Sequence, residues 1–244
     1  MNRFFTDAIQ DGVARITGED VRHITRVLRL RAGDRLELCD GAGTEYDGVI
    51  ERILPEEVRC TVSGARPCPA EPRCRVTLFQ ALPKAGKLET IVQKCVELGV
   101  DTVVPVLTAR CVAVPARDFA ARLARLRRVA EEAAKQSHRG VIPQVEPVQP
   151  LSSLALAGFD AALLAYEAER RTTLKAALRA RAAGALRRVA LIVGPEGGFA
   201  PEEAALLRSR GAVAVSLGPR ILRTETAGMA MLAQALYELE QAEP

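Results

Sequence analysis

Two segments late in the chain concentrate residues that could build a binding site largely from main-chain atoms. In the first, Leu191-Ile192-Val193-Gly194-Pro195-Glu196-Gly197-Gly198-Phe199, an apolar run breaks into glycines and then meets Pro201-Glu202-Glu203. Adjacent glycines permit positive φ and close approach of backbone to a ligand, so N–H and C=O groups become the contact surface. Proline suits the first helical turn, and the segment reads as strand, tight turn, helix. No Gly-Lys-Ser/Thr follows and no GxGxxG is present, which disfavours phosphate cradling and dinucleotide binding. In the second segment, Leu217-Gly218-Pro219-Arg220-Ile221-Leu222-Arg223-Thr224-Glu225-Thr226-Ala227, Arg220, Arg223 and Glu225 crowd a turn ahead of a helix that Thr224 is placed to cap. Either segment alone could be an ordinary strand–helix turn, with the charges a surface ion pair worth little. Two of them after consecutive strands point to one shared pocket.

Strands must present those turns. Strand-like runs at 76–81, 103–107, 161–165, 189–193 and 213–217 alternate with helical patterns at 88–98, 119–135, 171–183, from 201 onward, and 225–239. Gly99 is placed to stop the first helix. This βα alternation predicts an α/β fold with a mostly parallel sheet, where ligands collect at loops beyond the strand ends. Residues 3–64 differ: short β-type runs at 13–16, 35–38, 46–53 and 58–62 are separated by turn signals such as Asp40-Gly41-Ala42-Gly43. Residues 65–72 hold three prolines and read as a linker. Two domains are expected, over 1–70 and 74–244.

At 48% hydrophobic and 26% charged residues, the composition is that of a globular chain with a substantial core. No stretch is apolar enough to span a bilayer, so a cytoplasmic protein without membrane contact is expected. Cysteines at 39, 60, 68, 74, 95 and 111 form no CxxC pair, and two histidines complete a set that lacks zinc-ligand spacing. They read as reduced, mostly buried thiols, although Cys68 and Cys74 could meet, and no metal is expected. The net charge of +4 is uneven: residues 1–72 carry 10 basic and 13 acidic side chains, against 24 and 17 in the remainder. That balance permits a polyanionic partner. On a helix, Arg22, Arg26 and Arg29 fall in one stripe opposite Val21, Ile24, Val27 and Leu28. Such a stripe can grip phosphates or simply face water, and residues 117–139 add an auxiliary basic patch.

Taken together, Gly194-Pro195-Glu196-Gly197-Gly198 and Leu217-Gly218-x-Arg220-Ile221-Leu222-Arg223-x-Glu225-Thr226-Ala227 resemble the SPOUT methyltransferases, specifically the RsmE-type 16S rRNA uracil-N3 methyltransferases. Arg3-Phe4-Phe5, His23-x-x-Arg26-Val27-Leu28-Arg29 and Gly33-Asp34 are similar to that family's N-terminal domain. Lys84-x-x-Lys87-x-Glu89 and Gln93-Lys94-x-x-Glu97-Leu98-Gly99 are similar to its first catalytic helix, and Gln136-Ser137-x-Arg139 with Pro143 extends the likeness over nearly the whole chain.

The resemblance implies a PUA-like β-barrel followed by an α/β domain with a deep trefoil knot, a homodimer, S-adenosyl-L-methionine as methyl donor, and 16S rRNA or the small ribosomal subunit as partner. Donor contacts are then expected from Val193, Gly194, Glu196, Gly197, Gly198, Leu217, Gly218, Ile221, Leu222, Thr226 and Ala227. RNA contacts are expected from Arg3, Arg22, His23, Arg26, Arg29, Lys84, Lys87 and Lys94. Uracil N3 carries a proton that must leave, so Arg223 and Arg139 are expected to stabilise charge on the uracil oxygens. Glu225 or Glu196 would orient an arginine, take the proton, or only accept backbone hydrogen bonds. A ribose 2′-O acceptor and a noncatalytic RNA-binding assembly factor remain the alternatives.

Overall fold

The computed structural model describes residues 2–84, 86–112, 119–181 and 186–240. It divides into two units, Met1–Glu71 with Ala134–Ile142 and Pro72–Ala133 with Pro143–Pro244.

The first unit holds β1 (Arg3–Phe5), β2 (Ile9–Gln10), β3 (Val13–Thr17), α1 (Glu19–Arg22), β4 (Arg35–Cys39), β5 (Thr44–Ile53) and β6 (Glu57–Pro67). They form one sheet in the order β1-β4-β5-β6-β3-β2, with β1 parallel to β4 and the other pairs antiparallel. Strand alternation sends Ala14 and Ile16, Leu36 and Leu38, and Val58 and Cys60 to a common core with Phe4, Ile24 and Ile50. The first residues of the expected linker at 65–72 are instead strand: β6 runs through Pro67, which pairs with Thr44, and the units divide at Glu71/Pro72. Beyond Thr61, β6 has no β3 partner on its other side, so the missing proline N–H breaks no ladder there.

The basic stripe starts on α1, but the chain then widens into a π-type turn over His23–Val27, with the Leu28 N–H on the His23 carbonyl at 2.9 Å. The extra residue per turn shifts the apolar face. Val21 and Ile24 are buried, whereas Val27, expected beside them, is 68% exposed. Arg22, His23, Arg26 and Arg29 face solvent.

Arg3, expected to contact RNA, is a buried structural residue with a side chain only 4% exposed. Its guanidinium donates to Glu45 at 2.6 Å, to Glu37 at 3.2 Å and to the carbonyls of His138 and Arg139 at 2.7 and 3.0 Å. Glu37 also lies 3.0 Å from Nδ1 of His138, so this half-exposed histidine has a carboxylate partner. Arg139 is buried as well and makes a two-pronged pair with Glu71, Nε and Nη2 donating at 2.9 and 2.8 Å. The N–H groups of Gly140 and Val141 donate to the same carboxylate. Burial would raise the Glu71 carboxyl, but Arg139 and these two amides hold it below its ordinary 4.5. The stabilisation is therefore complete at neutral pH and lost as pH falls through the depressed value. Glu71→Gln should lower the unfolding free energy at pH 7 by about 1.5–3 kcal/mol and flatten the acid side of the stability curve. Urea denaturation at several pH values reads both; an unchanged acid slope would contradict the assignment.

The second unit contains β7 (Arg75–Ala81), α2 (Lys87–Glu97), β8 (Thr102–Leu107), β9 (Gln144–Val145), β10 (Gln149–Pro150), β11 (Ala161–Ala165), α4 (Leu174–Arg179), β12 (Arg188–Val193), α5 (Pro201–Ser209), β13 (Val213–Val215) and α6 (Thr224–Glu240); α3 (Phe119–Gln136) starts in it and ends in the segment that groups with the first unit. Its sheet is parallel in the order β10-β8-β7-β12-β11-β13, with β9 also on β8. Leu88, Ile91, Val92, Cys95 and Val96 make the buried face of α2, an i, i+3, i+4 pattern, and the helix packs beside α6. Two elements are shorter than expected. α4 starts only after Thr173, whose Oγ1 accepts from the Ala176 N–H at 3.1 Å, and positions 182 and 183 of the expected helix lie outside the described residues. β13 stops at Val215, and Ser216 then makes an isolated bridge to Thr173.

Of the auxiliary basic patch, Arg117 lies outside the described residues. Arg122 pairs with Glu89, Arg127 donates to the Val145 carbonyl, and Lys135 pairs with Asp20. All six cysteines are free; burial pushes Cys39 and Cys95 up to about 12 and Cys60 and Cys74 up to about 11, which suppresses thiolate chemistry. Among the described residues no helix is long and apolar enough to cross a membrane, and no group of potential ligands could hold a metal ion.

Candidate active site

Neighbouring parallel strands β12, β11 and β13 deliver three turns to one edge of the sheet. Residues 194–198 follow β12, 216–223 follow β13, and 166–170 follow β11. Together they line a cavity of about 520 Å³. The first turn is closed by the Gly198 N–H on the Pro195 carbonyl at 3.0 Å. Gly198 has φ +66°, and a Cβ there would run into the Glu167 carboxylate. At Gly197 a Cβ would approach Arg110 Cβ to 3.3 Å, while Arg110 Nη1 donates to the Gly197 carbonyl at 2.8 Å. Only glycine leaves this turn both closed and bare. Glu203 ties the surroundings together, accepting from the Ala109 N–H at 2.7 Å and the Ala200 N–H at 2.9 Å.

Charge inside the cavity is organised by Lys87, from the first turn of α2. Its Nζ lies 3.1 Å from Glu196 Oε1 and 3.1 Å from Glu225 Oε2, and the Lys84 N–H also donates to Glu196. Burial acts to raise Glu196, but its own N–H and Lys87 override it; Glu225 is lowered by its own N–H at the start of α6 and by Lys87. Both carboxyls lie below 4.5, and the two of them hold Lys87 above its ordinary 10.5. At neutral pH this is a cation clamped between two anions.

The structure brings together most of the expected donor-binding residues: Val193, Gly194, Glu196, Gly197, Gly198, Leu217, Gly218, Ile221, Leu222 and Ala227 all line the cavity, as does Arg223. Ile221 is 74% exposed, an apolar side chain left without protein cover. Thr226 is the exception, an exposed residue absent from the cavity lining; its position on α6 turns it away from the face that carries Thr224 and Ala227. Thr224 does not cap α6 with its side chain. Its hydroxyl donates to the Gly194 carbonyl at 2.6 Å, and the Ala227 N–H bonds the Arg223 carbonyl instead. Arg139, expected to share in charge stabilisation, is the buried partner of Glu71 in the first unit. Lys87, expected to touch RNA, is the cation of the carboxylate pair, and Lys94 pairs with Glu97 three residues on. Lys84 is exposed.

Sequence reasoning missed the third wall. Ala165, the last residue of β11, and Tyr166, Glu167 and Arg170 beyond it line the same cavity, with Tyr166 also lying under the Arg208 guanidinium. The available signal was the rule already applied to the other two loops, since β11 was itself legible as a strand.

With this geometry in place, comparison with known proteins is specific. The sequence profile of the RNA methyltransferase domain matches residues 70–236, and that of the RNA methyltransferase PUA domain matches residues 16–63. The chain is 34% identical to the ribosomal RNA small subunit methyltransferase E of Bacillus subtilis, covering 98% of each protein. Among solved structures, a methyltransferase from Legionella pneumophila in complex with the cofactor SAM superposes with a TM-score of 0.83 at 29% identity, covering 96% of both chains. The small subunit methyltransferase E of Neisseria gonorrhoeae, bound to S-adenosyl methionine, superposes at 0.79 with 27% identity over 96% of both chains. The parallel sheet, the glycine turns and the near full-length similarity agree, and the chain belongs to the ribosomal RNA small subunit methyltransferase E family.

Proposed function

We propose that this protein transfers a methyl group from S-adenosyl-L-methionine to N3 of one uridine of 16S rRNA, acting in the cytoplasm as a homodimer on the assembled small subunit. The observation that carries the reading is the meeting of the two glycine turns in one cavity. Its volume of about 520 Å³ lies in the range of roughly 300–1,000 Å³ typical of small-molecule sites. The lining suits a cationic, nucleoside-bearing donor: bare main chain at Gly197 and Gly198, apolar Leu217, Ile221 and Leu222, and the carboxylates of Glu167 and Glu196. The knotted passage of these loops implied by the resemblance is part of the same reading.

When bound, S-adenosylmethionine supplies a methyl group already activated on a sulfonium, so the protein's tasks are alignment and exclusion of water. Val193, the 194–198 turn and residues 217–222 hold the donor. Arg223, exposed at the cavity, meets the negative charge that develops on the uracil oxygens as N3 gives up its proton to solvent; the N3–methyl bond would then form as the C–S bond breaks, its electrons returning to sulfur as a neutral thioether. Glu196 and Glu225 are poor proton acceptors, because Lys87 and their own amides hold them below the ordinary carboxylate range. Their work is to stay anionic and to anchor Lys87. The exposed Arg22, His23, Arg26 and Arg29 supply phosphate contacts from the PUA unit.

Lys87→Met should therefore let both carboxyls rise from their lowered values, each still held down in part by its own N–H. A carboxylate with a depressed value keeps its contribution above that value and loses it as pH falls, so the acid limb of donor binding should move to higher pH in the variant. Calorimetric titration between pH 4 and 7 reads the shift, and superimposable limbs would contradict the clamp.

The experiment that tests the function is incubation of the protein with methyl-labelled donor and unmethylated small subunits, naked 16S rRNA alongside, followed by nucleoside analysis. Label in 3-methyluridine from the subunit arm is expected. Label on a ribose oxygen would reassign the acceptor, and no label in either arm would leave a noncatalytic RNA-binding protein.

A further inference from the structure

Gln80 lies outside the cavity, near the end of β7, and is completely buried. A buried amide must find partners, and this one is oriented by groups whose roles cannot be exchanged. Its Nε2 donates to the Ala81 carbonyl at 3.1 Å and to Thr224 Oγ1 at 2.9 Å. Thr224 in turn donates to the Gly194 carbonyl at 2.6 Å. Carbonyls only accept, so the proton on Thr224 must point at Gly194, and Thr224 must accept from Gln80. The chain of donors has one direction, from β7 through the first residue of α6 to the turn after β12.

Gln80 Oε1 is left buried without a hydrogen-bond partner. It faces Gly228, where a Cβ would come within 2.9 Å of it. Thr224 and Gly228 are one turn apart on the buried face of α6, so the glycine provides the space in which the amide sits. A buried glutamine carrying an orphan oxygen is a costly way to fill a core position that leucine or methionine could occupy.

We infer that Gln80 is a positioning residue for the methyl donor: through Thr224, the residue that follows the 216–223 turn, it fixes the separation between that turn and the 194–198 turn. This rests on the donor-binding reading above. Locking the Gly194 carbonyl fixes the peptide that enters the Pro195–Gly198 turn, so the main-chain groups of the cradle are set before the ligand arrives and no binding energy is lost in arranging them.

The test compares donor affinity by calorimetry with the melting temperature of the ligand-free protein for Gln80→Met, Thr224→Val, Thr224→Ser and Gly228→Ala. Gln80→Met and Thr224→Val are expected to weaken S-adenosylmethionine binding about tenfold or more, and Thr224→Ser, which keeps the hydroxyl, to bind within about threefold of wild type. Gly228→Ala separates positioning from stability. Alanine favours a helix interior over glycine, and the new methyl displaces only the end of the Gln80 side chain, so affinity should fall while the melting temperature holds or rises. Unchanged affinity in Gln80→Met and Gly228→Ala, with wild type binding normally, overturns the positioning role alone. Affinity that falls only in step with melting temperature overturns it too, and a wild type that fails to bind the donor overturns the donor reading with it.

Discussion

Gly198→Val is expected to weaken S-adenosylmethionine binding about a hundred- to a thousandfold while the protein remains folded. Two effects add at this residue. Its φ of +66° is a left-handed conformation that costs an L-residue roughly 1–2 kcal/mol, and a β-branched side chain adapts to it worst. The new Cβ would also enter the space of the Glu167 carboxylate on the opposite wall. Relief requires the turn to open, and an opened turn presents its amides in the wrong directions. A loss of about 3–4 kcal/mol in binding corresponds to two to three decades in Kd. Gly211→Val is the matched control. Gly211 has φ +94° with nothing near its Cβ and follows α5 rather than lining the cavity. It should cost stability and leave donor affinity alone. Equal loss of affinity in both variants would show that general strain, not the cradle, is being measured.

Arg223→Ala should lower turnover about 10²–10³-fold, the effect of removing one preorganised donor from a developing oxyanion. Donor affinity should change less than about threefold, because Arg223 is an exposed member of the lining that follows residues 217–222, the stretch assigned to hold the donor. Arg223→Lys should recover part of the rate by keeping the charge without the forked geometry. The discriminating quantity is kcat at saturating donor and RNA with Kd for the donor measured separately. Unchanged turnover would remove Arg223 from the chemistry and return attention to Lys87.

How much of this was legible in sequence depended on how local the cause is. β11 and the opening of α5 fall where apolar runs and Pro201 placed them, because a strand's apolar run and a helix's 3.6-residue period are written in neighbouring residues. The convergence of residues 194–198 and 217–222 followed from the βα alternation. Arg3 was misread because its partner Glu45 lies 42 positions away, and nothing local distinguishes a buried arginine from one facing RNA. Arg139 failed for the same reason, its fate being set by Glu71. Val27 was misplaced because an i→i+5 turn has no signature in an apolar pattern, and a single inserted residue rotates everything beyond it. Residues 65–72 were read as a linker from their prolines, but a strand paired on only one side tolerates Pro67. The clamp of Lys87 between Glu196 and Glu225 joins residues 109 and 138 positions apart in sequence. Only the sheet order brings them together.

The most direct measurement is a crystal structure of this protein soaked with S-adenosylmethionine or its demethylated product. Density is expected between residues 194–198 and 217–222, with the ligand's polar atoms on main-chain groups of both turns and Glu167 alongside. A ligand seated elsewhere, or touching only one of the turns, would contradict the donor reading.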